Sequence, residues 1–411
     1  MQSGTRARSG GRGTAAPKVP SAGHQLEARV AQLWFWEGFY ARCGINLQRY
    51  YQEPLLVTDL DLFAFDFSPH LSVIKYIGEV KSGTGKSVDK PLDRIVWLRG
   101  LRELVGADSA ELTMAKGVTG RIRQLGRSLD VTAQTVDDFE RREGNAVAKM
   151  TDLGSQGISA LTMEQEVREA CRGDVALERA FWFLRGEVLF LDPFLAIKQL
   201  IDLLQEISRH WTPRLQDKEA RVVRWLASEA VSILALKLVA ASATAVTLSR
   251  SEWDDLVSER LAEGAVPMHQ MRKLSDSVDK FVAGVLSAAK VPPEIRTEAI
   301  GAFLPEPPQY AGPLAELCWR LKGDAPVARA LPRQLDLFIF EKLVWQRDID
   351  AAVIARLGLA RDTFGHVRRL ISAFLRGCDA SFDELDRVMT GEAGLHAGPA
   401  IESQKPELPE E

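Results

Sequence analysis

The run LLVTDLDLFAFDF, residues 55–67, limits the fold more than any other stretch of the chain. Branched and aromatic residues dominate it, and in an extended strand successive side chains point to opposite faces. One face carries Leu55, Val57, Asp59, Asp61, Phe63, Phe65 and Phe67; the other carries Leu56, Thr58, Leu60, Leu62, Ala64 and Asp66. Both are largely apolar, so the strand is expected to be covered on both sides, with Asp59 and Asp61 interrupting one of them. A Ser68-Pro69-His70 turn then leads into LSVIKYIGEVKSG, a second strand, and two strands so closely joined form a hairpin.

On the second strand Val73, Lys75, Ile77, Glu79 and Lys81 share a face. A hairpin centred near His70 pairs residues whose numbers sum to about 140, which sets Asp61 opposite Glu79 and Asp59 opposite Lys81. Buried unpaired charge costs several kcal/mol, and facing carboxylates repel unless a cation lies between them. A divalent ion such as Mg²⁺, which prefers oxygen ligands and retains waters, is the expected occupant.

The same stretch, GEVKSGTGKS at 78–87, also contains half of a phosphate-binding loop. The full motif needs a glycine separated by four residues from Gly85-Lys86-Ser87, and that position is Val80. A helix should follow at once, whereas Val88-Asp89-Lys90-Pro91 favours an extended turn. Residues 83–87 therefore read as a solvated loop, and no nucleotide cofactor is expected.

Around the hairpin the pattern mixes helix and strand. Leu26, Val30, Leu33, Trp34 and Tyr40 give an amphipathic helix over 25–42, ending near Gly44. Helical spacing returns over 93–105, a strand is expected at 110–116, a helix at 121–129 and a closing strand at 129–134. The order is αββαβαβ, an α/β domain with a mixed sheet flanked by helices over 25–145. A Gly- and Ser-containing linker follows at 146–157, then an all-α domain over 158–390, broken at Val291-Pro292-Pro293 and Pro305–Pro308. Residues 1–24 (basic) and 391–411 (acidic) are expected to be disordered tails.

The apolar stretch from Trp225 to Leu248 is long enough to cross a membrane, but Glu229 and Lys237 sit within it, so a buried helix is the expectation. Four scattered cysteines, Cys43, Cys171, Cys318 and Cys378, suit neither a metal finger nor a disulfide framework and fit a reducing cytoplasm. A net charge of −4 gives no global attraction to nucleic acid, so such binding needs a local patch. His70 reads as a turn residue, Trp34 and Trp36 as packing groups, and Arg141-Arg142 and Arg368-Arg369 as solvated faces.

TDLDLFAF followed by GEVK resembles the PD-(D/E)XK nuclease superfamily, which includes restriction endonuclease-like enzymes and Holliday-junction resolvases. The resemblance covers about the first third of the chain, and Leu60 stands where the motif has proline. It implies a restriction endonuclease-like fold with Asp61 as the motif's aspartate, Glu79 and Lys81 as its Glu-x-Lys, and Glu27 as the glutamate of the preceding helix. Asp59 competes with Asp61 for the metal. Asp61, Glu79 and the Val80 carbonyl would hold Mg²⁺ or Mn²⁺, with Glu27 binding directly or through water. The ion would polarise a phosphodiester and supply hydroxide near neutral pH, while Lys81 would orient the water or offset developing charge. Lys86 and Lys90 would touch backbone phosphates. The implied function is Mg²⁺-dependent hydrolysis of nucleic acid, DNA being the expected partner, without a membrane. The helical part is left for recognition, homo-oligomerisation or regulation, and the alternative is a catalytically inactive nuclease-like binding or scaffolding protein.

Overall fold

The computed structural model describes residues 21–50, 54–83, 90–146, 153–212, 218–263, 268–291 and 305–391. Most of both expected tails, residues 84–87 of the expected solvated loop, and the middle of the expected linker lie outside the described residues.

Helix α1 (Ala22–Glu37) starts at Ser21, whose hydroxyl accepts the His24 amide. The helix therefore includes residues 22–24, assigned above to the tail. It stops at Gly38, where φ is 120°, and strand β1 (Tyr40–Tyr50) begins two residues later. The expected helix over 25–42 is thus too long at its end, and Tyr40 belongs to a strand. β1 pairs antiparallel with β2 (Pro54–Phe67), which pairs antiparallel with β3 (Val73–Lys81). Pairs from Leu62↔Gly78 to Phe67↔Val73 sum to 140, the register expected from the turn.

After α2 (Pro91–Val105), β4 (Ser109–Met114) adds parallel to β3; after α3 (Gly120–Ser128), β5 (Val131–Thr135) adds parallel to β4. A capping box between Thr135 and Asp138 then starts α4 (Val136–Asn145). The N-terminal part is a five-stranded mixed sheet in the order β1-β2-β3-β4-β5. Its element order is αβββαβαβα, which adds β1 and α4 to the expected αββαβαβ.

The remainder is helical. It opens with α5 (Ile158–Cys171) and α6 (Val175–Trp182), which runs through a π-helical turn at Phe183–Glu187 into α7 (Val188–Phe190). Next come α8 (Pro193–Glu206), α9 (Lys218–Thr244), α10 (Arg250–Ala262) and α11 (Met268–Ala288), then α12 (Ala311–Gly323) and α13 (Ala325–Ile339). The apolar stretch is α9. It is the one described helix long and apolar enough to span a membrane, and its apolar window is 78% buried inside the protein. A helix apolar on all sides is stable in water only when other helices enclose it.

Both faces of the sheet are covered. Leu62, Ala64 and Val80 pack with Leu26, Val30 and Trp34 of α1, joined by Phe139 of α4. Phe63, Phe65 and Phe67 share one continuous core with the helical remainder, and Phe63 stacks on Phe190 at 5.1 Å. The two parts are also joined by charge. Arg42 of β1, 1% exposed, donates to both oxygens of Glu229 on α9 (2.9 and 3.0 Å) and to Asp336 on α13 (2.7 Å). Ser155 and Gln156, from the expected linker, donate to the other Asp336 oxygen at 2.8 and 2.9 Å, so this end of the linker is fixed. Gly186 in the π-helical turn lets that turn approach β1, since a Cβ there would meet the Asn46 carbonyl oxygen at 2.7 Å.

Candidate active site

The β2–β3 ladder runs as far as Leu62↔Gly78. Just beyond it, Asp61 Oδ2 accepts the Val80 amide at 2.8 Å, taking a side-chain grip on the neighbouring strand. On the other side of Asp61, Gly44 of β1 adopts φ 59°, and the ladder skips from Cys43↔Leu62 to Ile45↔Leu60. Asp61 thus sits just beyond the last β2–β3 pair, while the β1–β2 register on either side of it is unshifted.

Lys81 Nζ lies 3.2 Å from Asp61 Oδ2 and 2.8 Å from Glu79 Oε1. Arg94 of α2 reaches the same Glu79 oxygen at 3.2 Å. Burial opposes the charge on Lys81, but Asp61 and Glu79 overcome it and hold the ammonium above lysine's usual range. Glu27 of α1 joins this group electrostatically. Burial, and then the charge of Asp61, push its carboxyl up to about 7; Glu79 adds to the rise and Lys81 opposes it. The structure therefore brings Glu27, Asp61, Glu79 and Lys81 together. Asp59 is exposed and paired across the ladder with Asn46, so it is Asp61 that joins Glu79 and Lys81.

Asp61 and Glu27 open onto a cleft of about 750 Å³. Its other wall comes from the helical part, through Glu164, Gln165 and Arg168 of α5, Trp182 of α6 and Arg185 of the π-helical turn. Arg185 is buried and committed: it bonds the Cys43 carbonyl, pairs with Glu164 at 3.0 Å and lies 3.6 Å from Glu229. Burial raises the Glu164 carboxyl, against the pull of Arg185. Arg168 is exposed, its guanidinium 4.9 Å from the centre of the Trp182 ring.

Sequence reasoning placed a metal between Asp61 and Glu79; the cation that joins them here is the Lys81 ammonium. Among the described residues no group of three or more His, Cys, Asp or Glu is arranged to hold a metal ion. The residues do fit a hard divalent ion in kind. Glu27, Asp61 and Glu79 offer only oxygen donors, the kind such an ion prefers.

The other sequence candidates are dispersed. Lys86 lies outside the described residues, and Lys90 is exposed at the start of α2, away from the cleft lining. Trp34 and Trp36 are buried packing groups, and His70 lies in the β2–β3 turn. Arg142 is not a solvated charge, since it bridges Glu37 and Glu111. Nor is Arg368: it is buried against Phe338 and Phe364, and burial followed by repulsion from Arg369 pushes it down to about 10. Arg94 and the entire helical wall were missed, because nothing local in sequence marks a partner that arrives from another element.

No protein-family model matches the chain, and no curated protein matches it. Among solved structures, the crystal structure of a protein of unknown function, AF1548, is similar at 11% identity. The match spans 52% of this chain and 95% of that one with a TM-score of 0.23, a likeness too slight to define the fold.

Proposed function

We propose that the protein hydrolyses phosphodiester bonds of nucleic acid, DNA foremost, at a metal-dependent site of the PD-(D/E)XK type in a restriction endonuclease-like domain. The observation that carries this reading is the meeting of Asp61 from one strand with Glu79 and Lys81 from the next at the edge of a cleft. Glu27, Asp61 and Glu79 are the carboxylates that would hold Mg²⁺ or Mn²⁺. When bound, such an ion supplies Lewis acidity toward the scissile phosphate and a water acidic enough to lose its proton near neutral pH. Lys81 then has two tasks available to its three donors: to orient the attacking water and to offset charge gathering on the phosphate oxygens. Arg94 keeps Glu79 in place. The four cysteines are free and buried, which supports a reducing, cytoplasmic setting.

One observation favours a second reading, a nuclease-like binding module without catalysis: Lys81 already pairs with both motif carboxylates. Incubation of labelled DNA and RNA with the protein and Mg²⁺ or Mn²⁺ separates the two. Cleavage that is absent in EDTA and lost in Lys81→Ala supports catalysis; strands left intact by the parent protein support the binding module.

A further inference from the structure

The helical part carries no motif, yet it builds half of the cleft onto which Asp61 and Glu27 open. Its contribution there is chemically specific. Trp182 is half-buried and held edge-on by Phe181, with ring centres 5.2 Å apart and planes at 82°. A large aromatic group is thus fixed in place while part of its surface stays accessible. Arg168 lies against that ring from the exposed turn of α5. Of the two arginines on this wall, Arg185 is buried and occupied by Cys43, Glu164 and Glu229, which leaves Arg168 as the one whose charge faces solvent. Arg168 lies over the fixed indole, 4.9 Å from the ring centre, and a guanidinium so backed presents its own flat, charged face, on which a base can stack and which can meet a phosphate.

A base can stack on such a platform only when it is not paired within a duplex, and a cleft of about 750 Å³ has room for a nucleotide or two. We propose that Trp182 and Arg168 form a binding platform for single-stranded or unpaired nucleic acid, laying the strand across the cleft with its phosphate toward Asp61 and Glu27. This rests on the phosphodiesterase reading, and it gives the helical part a function: it selects an unpaired strand.

The test measures binding apart from cleavage. In the Lys81→Ala background with Mg²⁺, fluorescence anisotropy follows a labelled dT12 strand and the same strand paired with its complement. The single strand is expected to bind at least about tenfold tighter than the duplex. Adding Trp182→Ala should weaken single-strand binding about tenfold, whereas Trp182→Phe, which keeps a stacking face and controls for folding, should retain most of it. Arg168→Gln should lower affinity and reduce the salt dependence by about one phosphate contact. Duplex binding as tight as single-strand binding, no strand binding at all, or affinities unchanged in the Trp182→Ala and Arg168→Gln variants would overturn the proposal. The two readings fail separately. A parent protein that cuts nothing but binds with this pattern leaves the platform standing without catalysis, and a parent that cuts regardless of Trp182 and Arg168 leaves catalysis without the platform.

Discussion

Lys81 and Asp61, twenty residues apart in sequence, meet with the ammonium 3.2 Å from the carboxylate that also accepts the Val80 amide. One aspartate oxygen therefore ties together both the side chain and the backbone of the Glu-x-Lys segment. Asp59, two residues earlier, lines the same cleft but makes neither contact. Asp61→Asn is thus expected to lower cleavage at least about a hundredfold, the scale of losing one preorganised electrostatic group, while Asp59→Asn stays within a few fold. Rates of both variants under saturating Mg²⁺ check this; equal losses would assign the role to both aspartates.

Arg42 is the charge on which the two parts of the protein depend. It is enclosed by Glu229, Asp336, Ser232 and the face of Tyr40, whose ring centre is 4.2 Å from the guanidinium. Removing it leaves buried Asp336 without its cation and Glu229 with only Arg185, 3.6 Å away. Arg42→Met should lower unfolding free energy by about 3–5 kcal/mol in urea titration, against less than about 1 kcal/mol for exposed Arg172→Met, whose partner is an exposed Glu169. The cleft's two walls should also lose their mutual position, so residual activity should fall before global unfolding.

Lys237 gives a pH signature. Its ammonium sits within the apolar helix α9, donating to the Leu189 and Leu191 carbonyls at 3.0 and 2.9 Å. Burial, then repulsion from Lys75, push it down to about 7 from the 10.5 of an exposed lysine. Between those values the unfolded chain holds the extra proton, so this group's contribution to stability rises as pH increases and is least favourable below about 7. Comparing unfolding free energies of the parent and Lys237→Met from about pH 6 to about pH 10 isolates it. The parent should gain on the variant as pH rises, and a difference that does not change with pH would show that the lysine keeps an ordinary affinity for its proton.

Gly186 holds the π-helical turn against β1. A methyl group at this position collides with the Asn46 carbonyl oxygen at 2.7 Å, and backbone cannot yield as a side-chain tip can. Gly186→Ala should cost about 1–3 kcal/mol and shift Arg185 away from Cys43, loosening the cleft wall. Urea titration gives the stability, and a higher KM with little change in kcat is the expected kinetic effect.

The parts of this structure that were legible in sequence are those whose partners are close along the chain. Asp61, Glu79 and Lys81 lie on consecutive strands, where the two-residue period and a short turn fix the register. Glu27 was reached through resemblance to a family rather than through spacing. β1 was hidden because Tyr40 continues the helical pattern of Val30 and Leu33, and only the conformation of Gly38 ends the helix before it. The Arg42 network spans 187 residues to Glu229 and 294 to Asp336, and Arg168 and Trp182 reach the cleft from a part of the chain that reads only as helix. Charges at such distances in sequence are paired by tertiary packing, for which local periodicity has no signal. Arg368 shows the same limit, a charge that looked solvated and is buried against two phenylalanines.

The most direct test of the central claim is the position of a bound ion. Crystals soaked in Mn²⁺ and measured at the manganese absorption edge should show an anomalous peak within coordination distance of Asp61 and Glu79, with the Lys81 ammonium displaced from between them, and the peak should vanish in Asp61→Asn. An anomalous map with no peak there, or with the same peak in the variant, would contradict the account and leave Lys81 and Arg94 as the cations that meet these carboxylates.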